Sequence, residues 1–304
     1  MKQNIFISGI TGFVGVNLKK YLHSGYNIIG VYRGNDISKI NYNKIALKDF
    51  EDKKVFIHLA GKAHDLKNVS KPDEYFEVNT NLTIKLFDLF LKSNCQKFIF
   101  ISTVKAAVDT IEEVLTEEVK PEPKTAYGKS KLAAENYLLS KKLPEGKQVY
   151  ILRPCMIHGP GNKGNLNLLY KIISKGIPYP LGKYENHRSF TSIENFCFII
   201  ENLINKSIAS GVYNVSDDTP IGTTELVELI GKEVLKPAVI LKTPKLIVRF
   251  MAIIGDVLHL PINTHRLDKL TESYVVSNEK IKKELNVTLP VSAIEGLKET
   301  IKSF

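Results

Sequence analysis

Short apolar runs alternate with stretches of helical periodicity along the first half of the chain. The runs are rich in Ile, Val and Phe and are bounded by polar residues or glycine, which is typical of buried strands. Such strands are predicted at residues 4–8, 26–32, 54–59, 97–102 and 149–152. Amphipathic helices are predicted at residues 13–22, 73–91 and 125–139. This alternation predicts an α/β fold with a doubly wound parallel sheet and right-handed crossovers.

The second half of the chain is less regular. Helices are predicted at residues 165–175, 193–203, 223–235, 244–258 and 277–285, and a strand at residues 211–215. We therefore expect a smaller, mixed α/β carboxy-terminal lobe that covers the carboxyl edge of the sheet, where ligands of such folds bind. No linker of low complexity separates the halves, so we expect one compact unit.

Composition excludes several classes of protein. The 304 residues are 43% hydrophobic and 24% charged, as in ordinary globular proteins. No apolar run approaches the ~20 residues that span a bilayer, and the amino terminus lacks the pattern of a signal peptide. We therefore expect a cytoplasmic chain without membrane insertion.

The net charge of +10 has two interpretations. A basic patch could bind nucleic acid or a membrane, or the excess charge could attract small anionic ligands such as dinucleotides and nucleotide sugars. The lysines are mostly single residues on predicted helices, which favours the second interpretation and argues against a nucleic-acid partner. The cysteines and histidines are dispersed without metal-ligand spacing, so no metal site is expected.

A glycine-rich turn follows the first predicted strand. Gly9, Gly12 and Gly15 form a GxxGxxG pattern that opens the first predicted helix. Glycine lets the backbone approach a pyrophosphate, and the helix amino terminus supplies free N–H groups. The alternative is an ordinary turn, which the strand–turn–helix context disfavours. The residues expected to contact the cofactor here are Gly9, Thr11, Gly12, Phe13, Val14 and Gly15.

The end of the second predicted strand bears on the choice of cofactor. It reads Val31-Tyr32-Arg33, and the next acidic residue is Asp36. An acid at this point suits the ribose 2′-hydroxyl of NAD, whereas an arginine suits the 2′-phosphate of NADP. Arg33 therefore favours NADP over NAD, unless it is only a solvated surface residue.

Tyr127 and Lys131 form a YxxxK pair on the helix predicted after the fourth strand. Four residues of helix place both side chains on one face, and a neighbouring ammonium favours the phenolate form of a tyrosine. Such a tyrosine can exchange a proton with a sugar hydroxyl while hydride moves to or from a nicotinamide. Ser102 and Thr103, at the end of the fourth strand, could supply a third hydrogen-bonding group. The alternative is a packed tyrosine beside a solvated lysine.

These motifs, in this order, resemble the extended short-chain dehydrogenase/reductase family, in its branch of NAD(P)-dependent nucleotide-sugar epimerases and 4-ketoreductases. His58-Leu59-Ala60-Gly61, Arg153-Pro154 and His158-Gly159-Pro160-Gly161 add to the resemblance, which covers nearly the whole chain. It implies a Rossmann domain at residues 1–160 and about 189–214. It also implies a nucleotide-sugar lobe at residues 161–188 and 215–304.

The resemblance also implies roles for single residues. Tyr127, Lys131 and Thr103 correspond to the catalytic group. Further cofactor contacts are implied for Leu59, Ala60, Gly61, Asn79, Ser102, Tyr127, Lys131, Pro154 and Ile157. Contacts to a UDP-sugar substrate are implied for Thr103, Lys105, Asn165, Arg188 and Arg266. The family often dimerises through two helices per subunit, here residues 73–91 and 125–139, which implies a homodimer.

Departures from the family pattern narrow the expected reaction. Dehydratases of the family carry two acids after the threonine, whereas this chain has Thr103-Val104-Lys105, and Ala106-Ala107 replaces the Tyr-Gly pair of many 4-epimerases. Thr103-Val104-Lys105 and the Lys163-Gly164-Asn165 stretch resemble a branch that handles UDP-N-acetyl-hexosamines and their 4-keto-6-deoxy derivatives. This resemblance implies an NADP-preferring reductase of a UDP-4-keto-6-deoxy-hexosamine in surface-polysaccharide synthesis. A UDP-hexose or UDP-N-acetylhexosamine 4-epimerase with tightly bound NAD is the alternative. A non-catalytic, cofactor-sensing relative is disfavoured by the intact Tyr127 and Lys131.

Overall fold

A computed structural model of the chain shows how these elements are arranged. It describes residues 2–32, 40–42, 44–63, 71–162, 165–257 and 263–304, apart from the side chains at positions 165, 265, 266 and 269. No helix in these ranges is long and apolar enough to span a bilayer.

Within these ranges, seven strands form one sheet in the order β3-β2-β1-β4-β5-β6-β9, and every neighbouring pair is parallel. A separate parallel pair is formed by β7 and β8. The strands are β1 (Gln3–Ser8), β2 (Tyr26–Tyr32), β3 (Ile40–Asn41), β4 (Val55–His58), β5 (Lys97–Ile101), β6 (Gln148–Pro154), β7 (Met156–His158), β8 (Phe190–Ser192) and β9 (Gly211–Val215). The predicted doubly wound sheet is confirmed.

Helices cover both faces of the sheet and build the second lobe. They are α1 (Phe13–Leu22), α2 (Pro72–Phe76), α3 (Leu82–Lys92), α4 (Ala126–Ser140), α5 (Asn165–Ser174), α6 (Ile193–Asn205), α7 (Thr223–Glu233), α8 (Lys245–Val257), α9 (Thr264–Thr271), α10 (Glu279–Leu285) and α11 (Ala293–Lys302). The helix predicted at residues 73–91 is not uniform, because a π-helical turn at Glu77–Asn81 joins α2 to α3.

The two faces of the central strands carry different side chains, because successive residues of a strand point to opposite sides. On β1, β4 and β5 the aliphatic residues Ile5, Ile57 and Ile99 share one core with α1, α6 and α10. The alternate positions are aromatic and face α3 and α4, where Phe56 and Phe98 stack edge to face with ring centroids 5.3 Å apart. Two dry cores therefore fix the sheet between its helical layers.

The second lobe has a core of its own. It is formed by α5, α7, α8 and α11 together with the loop that contains Tyr179 and Leu181. The carboxy-terminal part of the chain also contacts the central sheet. Ile281 and Leu285 of α10 pack in the aliphatic core that the sheet shares with α1 and α6. The exact boundary between the two predicted domains stays a prediction.

Candidate active site

The carboxyl ends of β1, β4, β5 and β6 lie side by side, because these strands are neighbours in one parallel sheet. Gly9, Leu59, Ser102 and Cys155 each follow one of the four strands directly. This edge of the sheet therefore gathers most of the residues that the sequence singles out.

The glycine loop is held by close backbone contacts. Gly9 has a φ of +73°, and a Cβ atom there would lie 2.6 Å from the backbone nitrogen of Ala60. A Cβ atom on Gly15 would lie 2.4 Å from the carbonyl oxygen of Gly9. Gly12 is exposed, and a Cβ atom there would meet only the Gly9 oxygen, at 3.3 Å. The fold therefore requires Gly9 and Gly15, whereas Gly12 leaves a bare surface at the start of α1.

The structure brings the other predicted cofactor residues of this region together. Thr11 is exposed beside Gly12. Four half-buried apolar residues pack against the aliphatic core below the loop: Phe13, Val14, Leu59 and Ile157. They form the apolar floor of the same edge, and Pro154 ends β6 beside them as a buried residue.

A chain of buried hydrogen bonds connects the glycine loop to the π-helical turn. The backbone N–H of Ala60 donates to Ser8 Oγ (3.4 Å), which lies 2.6 Å from His58 Nδ1. On the other side of the ring, His58 Nε2 lies 2.9 Å from Thr83 Oγ1, and Thr83 donates to the carbonyl oxygen of Asn79 (2.7 Å). Because Thr83 gives its proton to Asn79, His58 must carry its proton on Nε2 and accept from Ser8.

His58 stays neutral in this chain of hydrogen bonds. Burial and the charge of Lys131 lower its pKa to about 3. The histidine thus connects two neutral hydroxyls at every physiological pH, and its role is to fix the positions of β1, β4 and α3. Ser8 and Thr83 had no predicted role, since single hydroxyl residues in buried elements form no recognisable sequence pattern.

Asn79 lies fully buried in the π-helical turn and uses its whole amide group. Its Oδ1 accepts from the backbone N–H of Lys62 (2.7 Å), and its Nδ2 donates to the Lys62 carbonyl and to Ser130 Oγ (3.0 Å each). A Cβ atom on Gly61 would lie 3.1 Å from Asn79 Oδ1 and 3.0 Å from Lys131 Nζ. Asn79 therefore holds the turn after β4 against α4, next to Lys131.

Tyr127 lies in the first turn of α4, half-buried and close to the side chain of Thr103. Burial raises the pKa of its phenol to about 12, although the neighbouring Thr103 hydroxyl opposes this shift. Thr125 caps the helix by accepting from the backbone N–H of Gly128 (3.2 Å). The cap fixes the start of α4 and hence the position of Tyr127 against Thr103.

Lys131 is almost completely buried one turn after Tyr127. Its Nζ donates to the carbonyl oxygen of Ile101 (2.8 Å) and lies 4.8 Å from the centre of the Phe100 ring. Burial lowers the pKa of the ammonium to about 8, and the carboxylate of Glu135 acts in the opposite direction. Burial, rather than the Lys131 charge, thus dominates the pKa of Tyr127 in this arrangement.

Ser102 belongs to a buried ionic network below these groups. Its hydroxyl donates to Glu135 Oε1 in a very short bond, and Arg153 Nε donates to both oxygens of the same carboxylate, at 3.0 and 3.1 Å. The side chains of Glu135 and Arg153 are 0% and 4% exposed. The Ser102 hydroxyl is therefore bonded to Glu135, whereas the Thr103 hydroxyl at the end of β5 lies close to Tyr127.

Two predicted substrate residues approach the β6–β7 junction from different elements. Lys105 Nζ lies 4.1 Å above the ring of Tyr274, and Arg188 is half-buried between backbone bridges to Ile221 and Tyr274. Burial raises the pKa of the Cys155 thiol, and both Lys105 and Arg188 lie close enough to oppose that shift. Both cations therefore lie near Cys155, the residue directly after Pro154.

Three predicted site residues are not tested by this geometry. Arg33 lies outside the described residues. Asn165 is the first residue of α5 and Arg266 belongs to α9, but their side chains are outside the described part. Among the described residues, no group of three or more His, Cys, Asp or Glu side chains could hold a metal ion.

Comparison with known proteins gives related sequences and folds. Residues 5–216 match the family described as NAD dependent epimerase/dehydratase family. The chain is 31% identical to a UDP-glucose 4-epimerase from Vibrio cholerae, over 100% of this chain and 96% of the relative. It is 27% identical to a GDP-6-deoxy-D-mannose reductase from Pseudomonas aeruginosa, over 76% of this chain and 80% of the relative.

Solved structures show the same fold. A UDP-glucuronic acid 4-epimerase from Bacillus cereus in complex with NAD superposes with a TM-score of 0.74 at 20% identity, covering 99% of this chain and 98% of that one. RMD from Pseudomonas aeruginosa, complexed with NADPH, gives a TM-score of 0.75 at 21% identity, covering 99% of both chains. Together with the match over residues 5–216, the glycine loop and the Tyr127–Lys131 pair, these relatives confirm the expected family. The chain belongs to the NAD-dependent epimerase/dehydratase family, the extended short-chain dehydrogenases/reductases, and is an NAD(P)-dependent nucleotide-sugar enzyme.

Proposed function

We propose that this chain transfers hydride at C4 of a UDP-sugar, with Tyr127 exchanging the proton of the C4 oxygen. The observation that carries the proposal is the position of Tyr127 close to Thr103 at the end of β5, one turn before the buried Lys131. Two neighbouring hydroxyl groups can bind one sugar oxygen from two sides.

The residues present fit a dinucleotide. Gly12 precedes α1 without a side chain that could occupy the first N–H groups of the helix, and the first turn carries no acidic residue. A pyrophosphate binds favourably at such a helix start. Phe13, Leu59 and Ile157 offer an apolar surface nearby. When bound there, the nicotinamide cofactor supplies or accepts the hydride.

The chain's own residues would then carry the proton and hold the sugar. Tyr127 donates its phenolic proton to the C4 oxygen of a 4-keto sugar, while Thr103 keeps that oxygen in hydrogen-bonding distance. Lys131, fixed by Ile101 and close to Gly61, presents its ammonium beside the turn that Asn79 holds. Its charge favours the phenolate that is left when Tyr127 gives up its proton.

Both lobes supply positive charge for the substrate. Lys105 of the proposed Rossmann domain and Arg188 of the second lobe both lie near Cys155, and a UDP-sugar carries two negative phosphates. Charge-assisted contacts to phosphate oxygens are stronger than neutral ones. We keep Asn165 and Arg266 as further proposed substrate contacts.

Reduction of a UDP-4-keto-6-deoxy-hexosamine with NADPH is the more specific form of the proposal. A phenol with a pKa of about 12 is protonated at neutral pH, which is the form that a reduction needs at its start. The sequence at Arg33 favours the 2′-phosphate of NADP. A reductase among the relatives, and a neighbouring structure with NADPH, support this direction.

A UDP-hexose 4-epimerase is the second candidate. It is favoured by the 31% identity to the Vibrio cholerae UDP-glucose 4-epimerase over the whole chain. In such a reaction Tyr127 would first act as a base, so NAD⁺ would have to remain bound and be regenerated in each cycle.

We also propose that the chain forms a homodimer through the helices at residues 73–91 and 125–139. Helices α3 and α4 lie side by side, and Tyr137 of α4 donates to Asp88 of α3 (2.8 Å). Leu139 of α4 is an exposed apolar residue.

The first prediction separates reductase from epimerase. We expect the purified chain to oxidise one NADPH for each molecule of UDP-4-keto-6-deoxy-hexosamine that it reduces, and to prefer NADPH over NADH. Arg33→Asp should narrow or reverse that preference, since a carboxylate repels the 2′-phosphate. The measurement is absorbance at varied cofactor, with NMR of the product. Tightly bound NAD⁺ and interconversion of two UDP-hexoses without added cofactor would instead establish the epimerase.

The second prediction concerns the bare surface at Gly12. Gly12→Val should abolish most of the affinity for dinucleotide while the protein remains folded, since its Cβ atom meets only the Gly9 oxygen. Titration calorimetry with NADP and NAD, together with circular dichroism, measures both effects. Gly25→Val is the matched control, because a Cβ atom at Gly25 meets nothing within 4 Å. If Gly12→Val bound the dinucleotide as tightly as the wild type does, the loop would be an ordinary turn without a role in cofactor binding.

The third prediction concerns proton transfer. Tyr127→Phe keeps the ring but removes the acid, so kcat should fall by roughly 10²–10⁴, the usual contribution of a positioned acid or base. Cofactor affinity should be retained. Tyr137→Phe removes a hydroxyl from the same helix that bonds only to Asp88 among the described contacts, and should keep its activity. A fully active Tyr127→Phe enzyme would exclude the catalytic assignment.

The fourth prediction is a decline of activity in alkaline solution. Lys131 has a pKa of about 8, so it is an ammonium below that pH and neutral above it. We expect kcat/KM to fall as the pH rises through about 8. Lys131→Met should lose most of its activity and show no such decline, whereas Lys129→Met, at an exposed position of α4, should behave as the wild type. A wild-type profile that stays flat to pH 10 contradicts the assignment.

A further inference from the structure

Helix α8 has an apolar surface that is left exposed in the described part of the chain. Leu246, Phe250 and Val257 are 84%, 65% and 72% exposed, far above what is usual for large apolar side chains. Four more apolar residues of the same helix are exposed: Ile247, Met251, Ile253 and Ile254. Single exposed apolar residues are common, but so many on one short helix mark an interaction surface.

The exposed residues form one continuous face. At about 100° per residue, these seven side chains fall within an arc of roughly 160°. A separate, narrow stripe of Val248, Ala252 and Gly255 packs on the lobe. The polar residues Lys245, Arg249 and Asp256 occupy the space between the stripe and the face. The helix thus uses its smallest side chains for packing and directs its largest ones outward.

Basic residues border this apolar face. Between positions 232 and 257 the sequence has five basic residues and two acidic ones. Lys245 and Arg249 lie one turn apart along one border of the face, and Lys242 is exposed just before the helix. The long stems of such residues can rest on an apolar layer while their charges reach phosphate groups.

We propose that the apolar face of α8 docks on the surface of a bilayer that contains anionic lipid. The helix has 13 residues and is about 20 Å long, too short to cross the ~30 Å hydrocarbon layer, so it would lie in the plane of the interface. The alternative occupant is a second copy of the chain. A twofold contact through α8 would place Lys245 and Arg249 of two subunits, each with a net charge of +10, against one another.

The docking face is part of the substrate lobe. Arg249 of α8 pairs with Asp268 of α9 (3.8 Å), and the chain that leaves α9 carries Glu272, whose charge acts on Arg188. Docking would therefore hold the proposed UDP-sugar lobe at the membrane surface while the Rossmann sheet stays in water. This inference does not depend on which C4 reaction the site performs.

The test is sedimentation of the full chain with vesicles. Vesicles of phosphatidylcholine alone are compared with vesicles that also contain phosphatidylglycerol, at low and high salt. We expect binding about 10- to 100-fold stronger to the anionic vesicles, weakened by salt, because two or three basic residues reach the surface. The double variant Leu246→Ser/Phe250→Ser should lose binding to both kinds of vesicle, with its melting temperature and NADPH affinity unchanged.

Two control variants test whether vesicle binding depends on the α8 face itself, or on exposed apolar residues and positive charge anywhere on the surface. Val114→Ser/Ile177→Ser removes two side chains that are about half exposed elsewhere, and Lys19→Glu/Lys20→Glu changes the charge on α1. Both should bind anionic vesicles as the wild type does. The proposal is overturned if the chain binds neither vesicle, or if Leu246→Ser/Phe250→Ser binds as well as the wild type. A dimer in light scattering that this variant dissociates, without vesicle binding, would make a second copy the occupant.

Discussion

The architecture of the site depends on one close contact between two backbones. Gly9 after β1 and Ala60 after β4 approach so closely that a Cβ atom on Gly9 would lie 2.6 Å from a backbone nitrogen. Because β1 and β4 are neighbours, any side chain here would separate the strands at the edge where ligands bind. The same approach turns the chain into α1 at once, and so exposes the helix start at Gly12.

Buried polar groups keep this contact in register with the rest of the site. The bonds that run from Ala60 through Ser8 and His58 to Thr83 end at Asn79, which in turn holds the Gly61–Lys62 turn. The π-helical turn continues α2 into α3 and contains Asn79, whose amide bonds to Lys62 and Ser130. A buried polar group without a partner destabilises the fold, so each member constrains the next. The glycine loop and the catalytic helix are thereby positioned as one assembly.

Sequence alone predicted the central sheet and most helices, because strand runs and amphipathic periods are local signals. It did not predict β3, β7 or β8, since strands of two or three residues have no periodicity. Side-chain pairs between different elements could not be predicted either. Arg153 of β6 and Glu135 of α4 are an example, because only the tertiary fold brings them together. The Tyr127–Lys131 spacing was readable, whereas the partner that each side chain selects depends on tertiary packing.

Two groups of residues depart from the usual rule that charged side chains are exposed and large apolar side chains are buried. Both lie at sites proposed to bind a ligand or a surface. Lys131 is a buried cation in a helix, and Glu135 and Arg153 are a buried ion pair; burying charges is unfavourable unless they are fully bonded. In α8 the opposite exception occurs, since large apolar residues face outward. Packing explains neither case, because a neutral residue would satisfy the core and a polar residue would suit an exposed surface. The charges lie below the proposed site of chemistry, and the apolar face lies on the lobe proposed to hold the sugar. Both exceptions are therefore best explained by what the chain binds.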